Sequence, residues 1–311
     1  MSRLLVSGAT GFVGRALISH LAGRYSLIAP HRSTTALPPG VEGFFIESLD
    51  GSTDWQGHLV GVDCVIHLAA RVHVMRETHA DPLAAFREVN VAGTLALARA
   101  AVVAGVRRFV YLSSIKVNGE ETNPGRPFCA DDPIAPEDHY GVSKAEAETA
   151  LMALARNSGL EVVIIRPPLV YGRGVKGNLS SLQGAISRGL PLPLAKIDNW
   201  RSLVGIDNLC SLIETCIDHP AAAGQIFLAS DGEDISTTRL ASEIGAAIGR
   251  PARLFPLPQK LICRSAYWTG KENLVRRLYG NLQVDIDKNR RILGWKPTVS
   301  VVEGFQRAFS R

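Results

Sequence analysis

The sequence predicts an α/β protein built on a doubly wound parallel sheet. Two observations carry that prediction. Short, almost wholly apolar runs alternate with longer amphipathic ones through the first half, and a glycine-rich turn follows the first of those runs at residues 8–14. Strands that are apolar along both faces are strands covered by helices on both faces, the condition of a parallel sheet joined by crossover helices. At 311 residues the chain is long enough for two domains or one large α/β unit.

Residues 3–7, 26–29, 43–46, 63–68, 107–113 and 161–166 read as strands, because they are rich in Leu, Val and Ile and are bounded mainly by Gly, Asp or Ser. Between them, residues 12–22, 82–104 and 140–157 carry helical periodicity. Beyond about Leu169 the pattern changes. Glycine and proline crowd residues 167–193, as in loops that reach over a site. A helix over 207–219 and a strand over 225–229 are expected to rejoin the sheet. Ser236 is placed to cap a helix running to Ile248, with Gly249 as its stop. The remainder is expected to be mainly helical, with short extended pieces. A dinucleotide-binding unit over residues 1–170 with a return segment 205–230, and a smaller substrate-binding region over 171–204 and 231–311, follow from this reading.

Composition excludes several classes. Hydrophobic residues make 46% of the chain and charged ones 20%, so a disordered chain is excluded. No run of 18 uncharged apolar residues occurs, so no transmembrane helix is expected. The apolar stretch after Met1 is too short for a signal peptide and runs into the glycine turn, which points to a cytoplasmic protein. The net charge of +5 comes from scattered Lys and Arg with no basic block, and no nucleic-acid partner is read from it. The five cysteines (Cys64, Cys129, Cys210, Cys216, Cys263) lack metal-ligand spacing and are expected to be buried reduced thiols. No metal site is expected.

Gly8, Gly11 and Gly14 lie between the first strand and the first helix. In such a turn the first glycine permits the reversal, the second lets backbone approach a pyrophosphate, and the third allows close helix–strand packing. The helix N-terminus then presents free N–H groups to the phosphates. Gly8, Thr10, Gly11, Phe12, Val13 and Gly14 are therefore the expected cofactor-binding turn of a Rossmann-like domain. About 18 residues on, the second strand should end in a carboxylate where NAD is preferred. Here Pro30-His31-Arg32-Ser33 stands instead, and Arg32 suits a 2′-phosphate through its planar fork. NADP(H) is favoured, with NAD(H) possible.

Tyr140 and Lys144 lie four residues apart at the start of a helix, which places phenol and ammonium on one face. A free tyrosine, with a pKa near ~10, is a poor base at neutral pH, and a neighbouring cation shifts it down. Ser113 and Ser114 end the fifth strand and offer the hydroxyl that, with Tyr140, grips a carbonyl oxygen while hydride moves at carbon.

The glycine spacing G-x-x-G-x-x-G, Tyr140-x-x-x-Lys144 and the segment Ser113-Ser-Ile-Lys-Val-Asn-Gly119 together resemble the extended short-chain dehydrogenase/reductase superfamily, in its NAD-dependent epimerase/dehydratase family. The last segment is similar to S-S-x-x-V-Y-G, with Asn118 in the tyrosine place. The resemblance implies a catalytic triad of Ser114, Tyr140 and Lys144, with Tyr140 and Lys144 also meeting the cofactor. It assigns Leu68, Ala69 and Ala70 beside the cofactor, although Arg71 stands where the family often has His. Arg166-Pro167-x-x-Val-Tyr-Gly172 matches R-P-x-x-V-Y-G and sets Pro167 against the nicotinamide. Asn90 is implied to be structural, and either Ser48 or Asp50 to meet the adenine. For the substrate it implies Ser114, Lys116, Asn178 and Leu179 in a diphosphate-holding turn, Arg201 on a phosphate, and Arg276 and Arg277 as candidates for a second clamp. A homodimer through the helices bearing Asn90 and Tyr140 is likewise implied.

Within that family three outcomes compete. Dehydration needs an acid after the catalytic hydroxyl, and Ile115 stands there. Arg32, the 113–119 segment and Pro127-Phe-x-x-Asp-Asp-Pro133 most resemble 4-ketoreductases of UDP-N-acetyl-6-deoxyhexuloses in O-antigen (lipopolysaccharide) biosynthesis. The expectation is thus NAD(P)H-dependent reduction of a UDP-linked 4-keto sugar. The alternatives are a UDP-sugar 4-epimerase acting on UDP-glucose or UDP-GlcNAc, and, in another class, a non-catalytic dinucleotide-sensing module. Retention of both Tyr140 and Lys144 argues against the last.

Overall fold

A computed structural model describes residues 1–32, 37–72, 81–258 and 272–310. Seven strands form one parallel sheet: β1 (Arg3–Ser7), β2 (Ser26–His31), β3 (Val41–Phe45), β4 (Cys64–His67), β5 (Arg108–Leu112), β6 (Glu161–Arg166) and β10 (Ile226–Leu228). Their spatial order is β3-β2-β1-β4-β5-β6-β10, so the direction of winding reverses between β1 and β4. In open α/β sheets that reversal opens a crevice at the carboxyl ends of the strands, where ligands bind. The doubly wound architecture read from the sequence is the one observed.

The strands alternate their side chains between two cores. On β1, Leu4 and Val6 pack with α1 (Phe12–Leu21) and α6 (Ile206–Asp218). Leu5 packs oppositely, with α3 (Thr94–Val103) and α4 (His139–Ser158). All three are fully buried, and burying such a side chain contributes roughly 1.5–3 kcal/mol. A third core joins α5 (Asn178–Ser187), α7 (Thr237–Ala247) and α10 (Val301–Phe309) to a small sheet of β7 (Leu169–Tyr171), β9 (Arg201–Gly205) and β11 (Asp234–Ile235). β8 (Leu192–Ala195) pairs with β12 (Leu254–Pro256), and α8 (Glu272–Tyr279) and α9 (Asp287–Leu293) complete the C-terminal part. Within the expected return segment β10 joins the large sheet; β9, which leads into that segment, pairs with β7 and β11.

Other elements depart from expectation in instructive ways. The single helix expected over 82–104 is three pieces: α2 (Pro82–Arg87), a π-helical turn (Glu88–Gly93) and α3. The π turn accompanies an inward Asn90, whose amide accepts from the Arg71 N–H at 2.7 Å and donates to the Arg71 carbonyl and to Ser143 Oγ. An extra residue in a helical turn re-aims side chains in this way. Strand β3 begins two residues before the expected 43. Cys64, Cys210 and Cys216 are buried thiols, but Cys129 is exposed because it lies in the loop before α4; Cys263 lies outside the described residues. Ser236 does cap α7, accepting from the Arg239 N–H at 3.1 Å.

Among the described residues no helix is long and apolar enough to cross a membrane, and no cluster of His, Cys, Asp and Glu is built to hold a metal ion.

Candidate active site

The glycine turn closes with Gly11 N–H donating to the Gly8 carbonyl at 2.9 Å. A Cβ on Gly14 would lie 2.1 Å from the Gly8 carbonyl oxygen, so only glycine lets α1 start this close to the turn. Helix α1 has no side-chain cap at Gly11 and no acid in its first turn. Its leading N–H groups face the open end of the sheet and suit an anion. Thr10 and Gly11 are exposed there, Phe12 and Val13 are half-buried, and Phe12 reaches toward Gly172. Leu68, Ala69 and Ala70 leave β4 directly opposite, with Ala69 backbone against Gly8. Arg32 is exposed just past β2. Of the two adenine candidates, Asp50 is occupied within its own loop, accepting from Ser52 N–H and Oγ–H at 2.8 and 2.6 Å. These hydrogen bonds, with one from Ser48, hold its carboxyl below the usual range.

His67 anchors this side of the crevice. It is fully buried between Ser7 Oγ at 2.6 Å from Nδ1 and Thr94 Oγ1 at 2.9 Å from Nε2. Thr94 spends its one hydroxyl proton on the Asn90 carbonyl at 2.7 Å. Nε2 must therefore carry the imidazole proton and Nδ1 must accept from Ser7. Burial, with the charge of Lys144, holds the ring down to about 3, so it is neutral at any physiological pH.

The chemical groups converge from three elements. Ser114 leaves β5 and caps a 3₁₀ turn, Ile115–Val117. The strand pairing of β5 with β6 extends into this turn, with Ser113 N–H donating to Ile165 and Ile115 N–H to the Pro167 carbonyl at 2.9 Å. Ser113 Oγ is buried without a hydrogen-bond partner. Tyr140 stands in the first turn of α4, which Asp138 caps by accepting from Gly141 N–H at 2.7 Å. A Cβ on Gly141 would meet the Lys116 carbonyl at 2.8 Å, so this glycine allows α4 to press against the Ser114 turn. The Ser114 hydroxyl is close enough to the Tyr140 phenol to stabilise its anion. Lys144 is buried, donates to the Leu112 carbonyl at 2.8 Å, and lies 4.4 Å from the Tyr111 ring centre and 6.0 Å from that of Tyr140.

The electrostatics follow from this burial. Desolvation brings the Lys144 ammonium down to about 7, against an opposing pull from Glu148. The Tyr140 phenol is raised by burial and by the Asp138 charge, with the Ser114 hydrogen bond working the other way. The sequence had suggested a lowered phenol; burial and the Asp138 charge turn the direction upward. The phenol is accordingly protonated at neutral pH unless a further cation joins Lys144 beside it.

The expected substrate residues are more dispersed. Lys116 is paired with Glu120 at 2.7 Å and with Asp138. Asn178 is exposed at the first turn of α5, and Leu179 packs into the third core. Arg201 donates to the Gly280 carbonyl at 3.0 Å. Arg276 is held by Glu121 at 3.0 Å and by Glu137, and the Arg277 side chain lies outside the described residues.

Comparison with known proteins gives the family. A family model described as the NAD dependent epimerase/dehydratase family matches residues 4–229. The chain belongs to that family. The match spans the large sheet from Leu4 onward and the Ser114, Tyr140 and Lys144 positions, and a dinucleotide is this family's cofactor. A UDP-glucose 4-epimerase of Vibrio cholerae is 47% identical over 309 residues, covering 98% of this chain and 93% of that protein. Among solved structures, the UDP-N-acetylglucosamine 4-epimerase of Bacillus cereus superposes with a TM-score of 0.79 at 19% identity, covering 98% of this chain and 97% of that one. The UDP-glucose 4-epimerase of Thermotoga maritima, solved with UDP-glucose, gives 0.78 at 20% identity with the same coverage. These two show the shared fold.

The 47% relative overturns the expectation of a 4-ketoreductase, and the structure shows why the short motifs misled. Asn118 bonds the Arg166 guanidinium and the Cys129 carbonyl, and Phe128 exchanges backbone hydrogen bonds with Gln283 and Asp285. Asn118 and Phe128 thus serve internal contacts, so their likeness to ketoreductases carries no information about the reaction.

Sequence reasoning passed over three residues. Glu148 repeats the four-residue spacing one turn beyond Lys144, a legible signal. Asp138 stands where an N-cap belongs, two residues before Tyr140. Asp231 gave no local signal: it is buried and accepts from Tyr171, Gly205 and Asn208, tying β7, β9 and α6 together.

Proposed function

We propose that this protein is a UDP-sugar 4-epimerase, with UDP-glucose and UDP-galactose as its first substrate pair and the N-acetylated pair as a second. The observation that carries the reading is the near full-length 47% identity to a UDP-glucose 4-epimerase, joined to an intact Ser114, Tyr140 and Lys144.

The residues fit a dinucleotide. The uncapped α1 N-terminus and the Gly8–Gly14 turn receive the pyrophosphate, Leu68–Ala70 border the adenosine-to-nicotinamide path, and Pro167 and Lys144 hold the nicotinamide end. When bound, the cofactor supplies the acceptor and donor of hydride. Tyr140 and Ser114 hold the sugar O4. With Lys144 and the positive nicotinamide beside it, the phenol is favoured as phenolate, the form in which Tyr140 takes the O4 proton as C4 is oxidised; Tyr140 returns that proton after the 4-keto sugar has turned over. Lys144 keeps the phenol and ribose in place. Asn178, the backbone at Leu179 and Arg201 line the nucleotide diphosphate. Arg32 favours NADP(H) over NAD(H) through its fork. The enzyme works as a homodimer.

The test is direct. Purified protein supplied with UDP-galactose should form UDP-glucose without net consumption of cofactor, and Tyr140→Phe should stop it.

A further inference from the structure

One buried charge chain lies behind the site and takes no part in the chemistry above. Arg166, the last residue of β6, is 2% exposed, and Glu148 and Asn118 are 4% and 3% exposed. Arg166 Nε donates to both Glu148 oxygens at 3.0 and 3.1 Å, and Nη2 donates to Oε2 at 2.5 Å. Nη1 donates to Asn118 Oδ1 at 2.9 Å, and Asn118 Nδ2 donates onward to the Cys129 carbonyl at 3.1 Å.

Each member is covalently close to a reacting group. Asn118 ends the 3₁₀ turn that Ser114 begins. Glu148 lies one helical turn beyond Lys144 and two beyond Tyr140 on α4. Arg166 adjoins Pro167, whose carbonyl accepts from Ile115 in that same turn. One guanidinium thus bridges the serine turn, the tyrosine–lysine helix and the strap across them. A buried ion pair seldom adds net stability over apolar packing of the same volume. Its directional bonds do fix relative position, and a misplacement of about 1 Å can cost on the order of 10²-fold in rate.

We propose that the Asn118–Arg166–Glu148 chain is a positioning device that holds the Ser114 hydroxyl in register with Tyr140 and Lys144. Asn118 is the adjustable member, because its amide alone joins the serine turn to the guanidinium. The proposal rests on the epimerase reading for its catalytic readout.

The test compares Asn118→Leu, which breaks both bonds of the amide, with Asn118→Asp, which keeps an acceptor for Arg166 but sets a carboxylate oxygen instead of an N–H against the Cys129 carbonyl. In the full-length protein Asn118→Leu should lower kcat by roughly 10–100-fold with KM within about twofold. Asn118→Asp should recover to within about fivefold of wild type. Both should bind NADH, followed by its fluorescence, as wild type does. Hydrogen exchange should quicken at residues 114–119 in Asn118→Leu while β1 stays protected. A kcat for Asn118→Leu within twofold of wild type would overturn the proposal. So would equal kcat losses in the two variants at equal thermal midpoints. If Asn118→Leu does not fold, Asn118→Ala is read in its place. If wild type shows no epimerisation, the functional reading falls alone. The exchange arm then decides: quickening at 114–119 that Asn118→Asp reverses supports positioning, and unchanged exchange overturns it.

Discussion

Replacing His67 by glutamine should remove a large part of the protein's sensitivity to acid. Free histidine titrates near ~6.5, whereas burial and Lys144 hold His67 down to about 3. The hydrogen bonds explain the resistance: Nδ1 accepts from Ser7, and Thr94 has no proton to give to Nε2. Protonating Nδ1 would set a second donor against the Ser7 hydroxyl. The sign follows from linkage. Below ~6.5 the unfolded chain binds a proton that the folded chain refuses until about 3, so stability falls with falling pH through that window. Each pH unit is worth ~1.4 kcal/mol, and pH 5 lies about 1.5 units inside the window, which gives a loss of roughly 2 kcal/mol from this residue. Urea unfolding followed by circular dichroism at pH 7 and pH 5 measures the loss. Wild type should lose about 2 kcal/mol more than His67→Gln between the two. Equal losses within about 0.5 kcal/mol would refute the assignment of a neutral, doubly bonded imidazole.

Three further outcomes are expected. Tyr140→Phe should bind NADH normally while turnover falls roughly 10²–10⁴-fold, as for loss of a positioned proton donor; steady-state kinetics beside a fluorescence titration separates the two. Arg32→Asp should weaken NADP(H) more than NAD(H), since it sets like charge against the 2′-phosphate; titration of both cofactors gives the ratio, and an unchanged ratio makes Arg32 a surface residue. Gly14→Ala forces a methyl to 2.1 Å from the Gly8 carbonyl, so α1 must lift away from the turn. Thermal unfolding should show a loss of about 1–3 kcal/mol, and added NAD should stabilise the variant less than wild type.

The large sheet was legible because its strands are apolar along their whole length and the turns between them are polar. Strand 161–166 was placed to the residue, and α1, α4 and α6 to within a residue or two. The convergence of Ser114, Tyr140 and Lys144 was legible because they sit at fixed offsets from motif residues. What escaped depends on contacts far apart in sequence. Nothing local marks residues 88–93 as a π turn, since the cause is Asn90 meeting Arg71 and Ser143. Arg166 read as a motif residue, yet its partners lie 18 and 48 positions away. Asn118 shows the hazard most plainly: a motif departure invited a substrate argument, and the structure gives the residue to a buried guanidinium.

The claim that this chain epimerises a UDP-sugar at C4 is tested most directly by following the hydrogen on that carbon. UDP-galactose carrying deuterium at C4 is incubated with the protein and a catalytic amount of NAD, and the UDP-glucose formed is examined by mass spectrometry and NMR. The account predicts UDP-glucose with deuterium retained at C4 and no net change in cofactor absorbance, because the hydride removed is the hydride returned. No UDP-glucose, with stoichiometric loss of NAD(P)H when a UDP-linked 4-keto sugar is supplied instead, would contradict it.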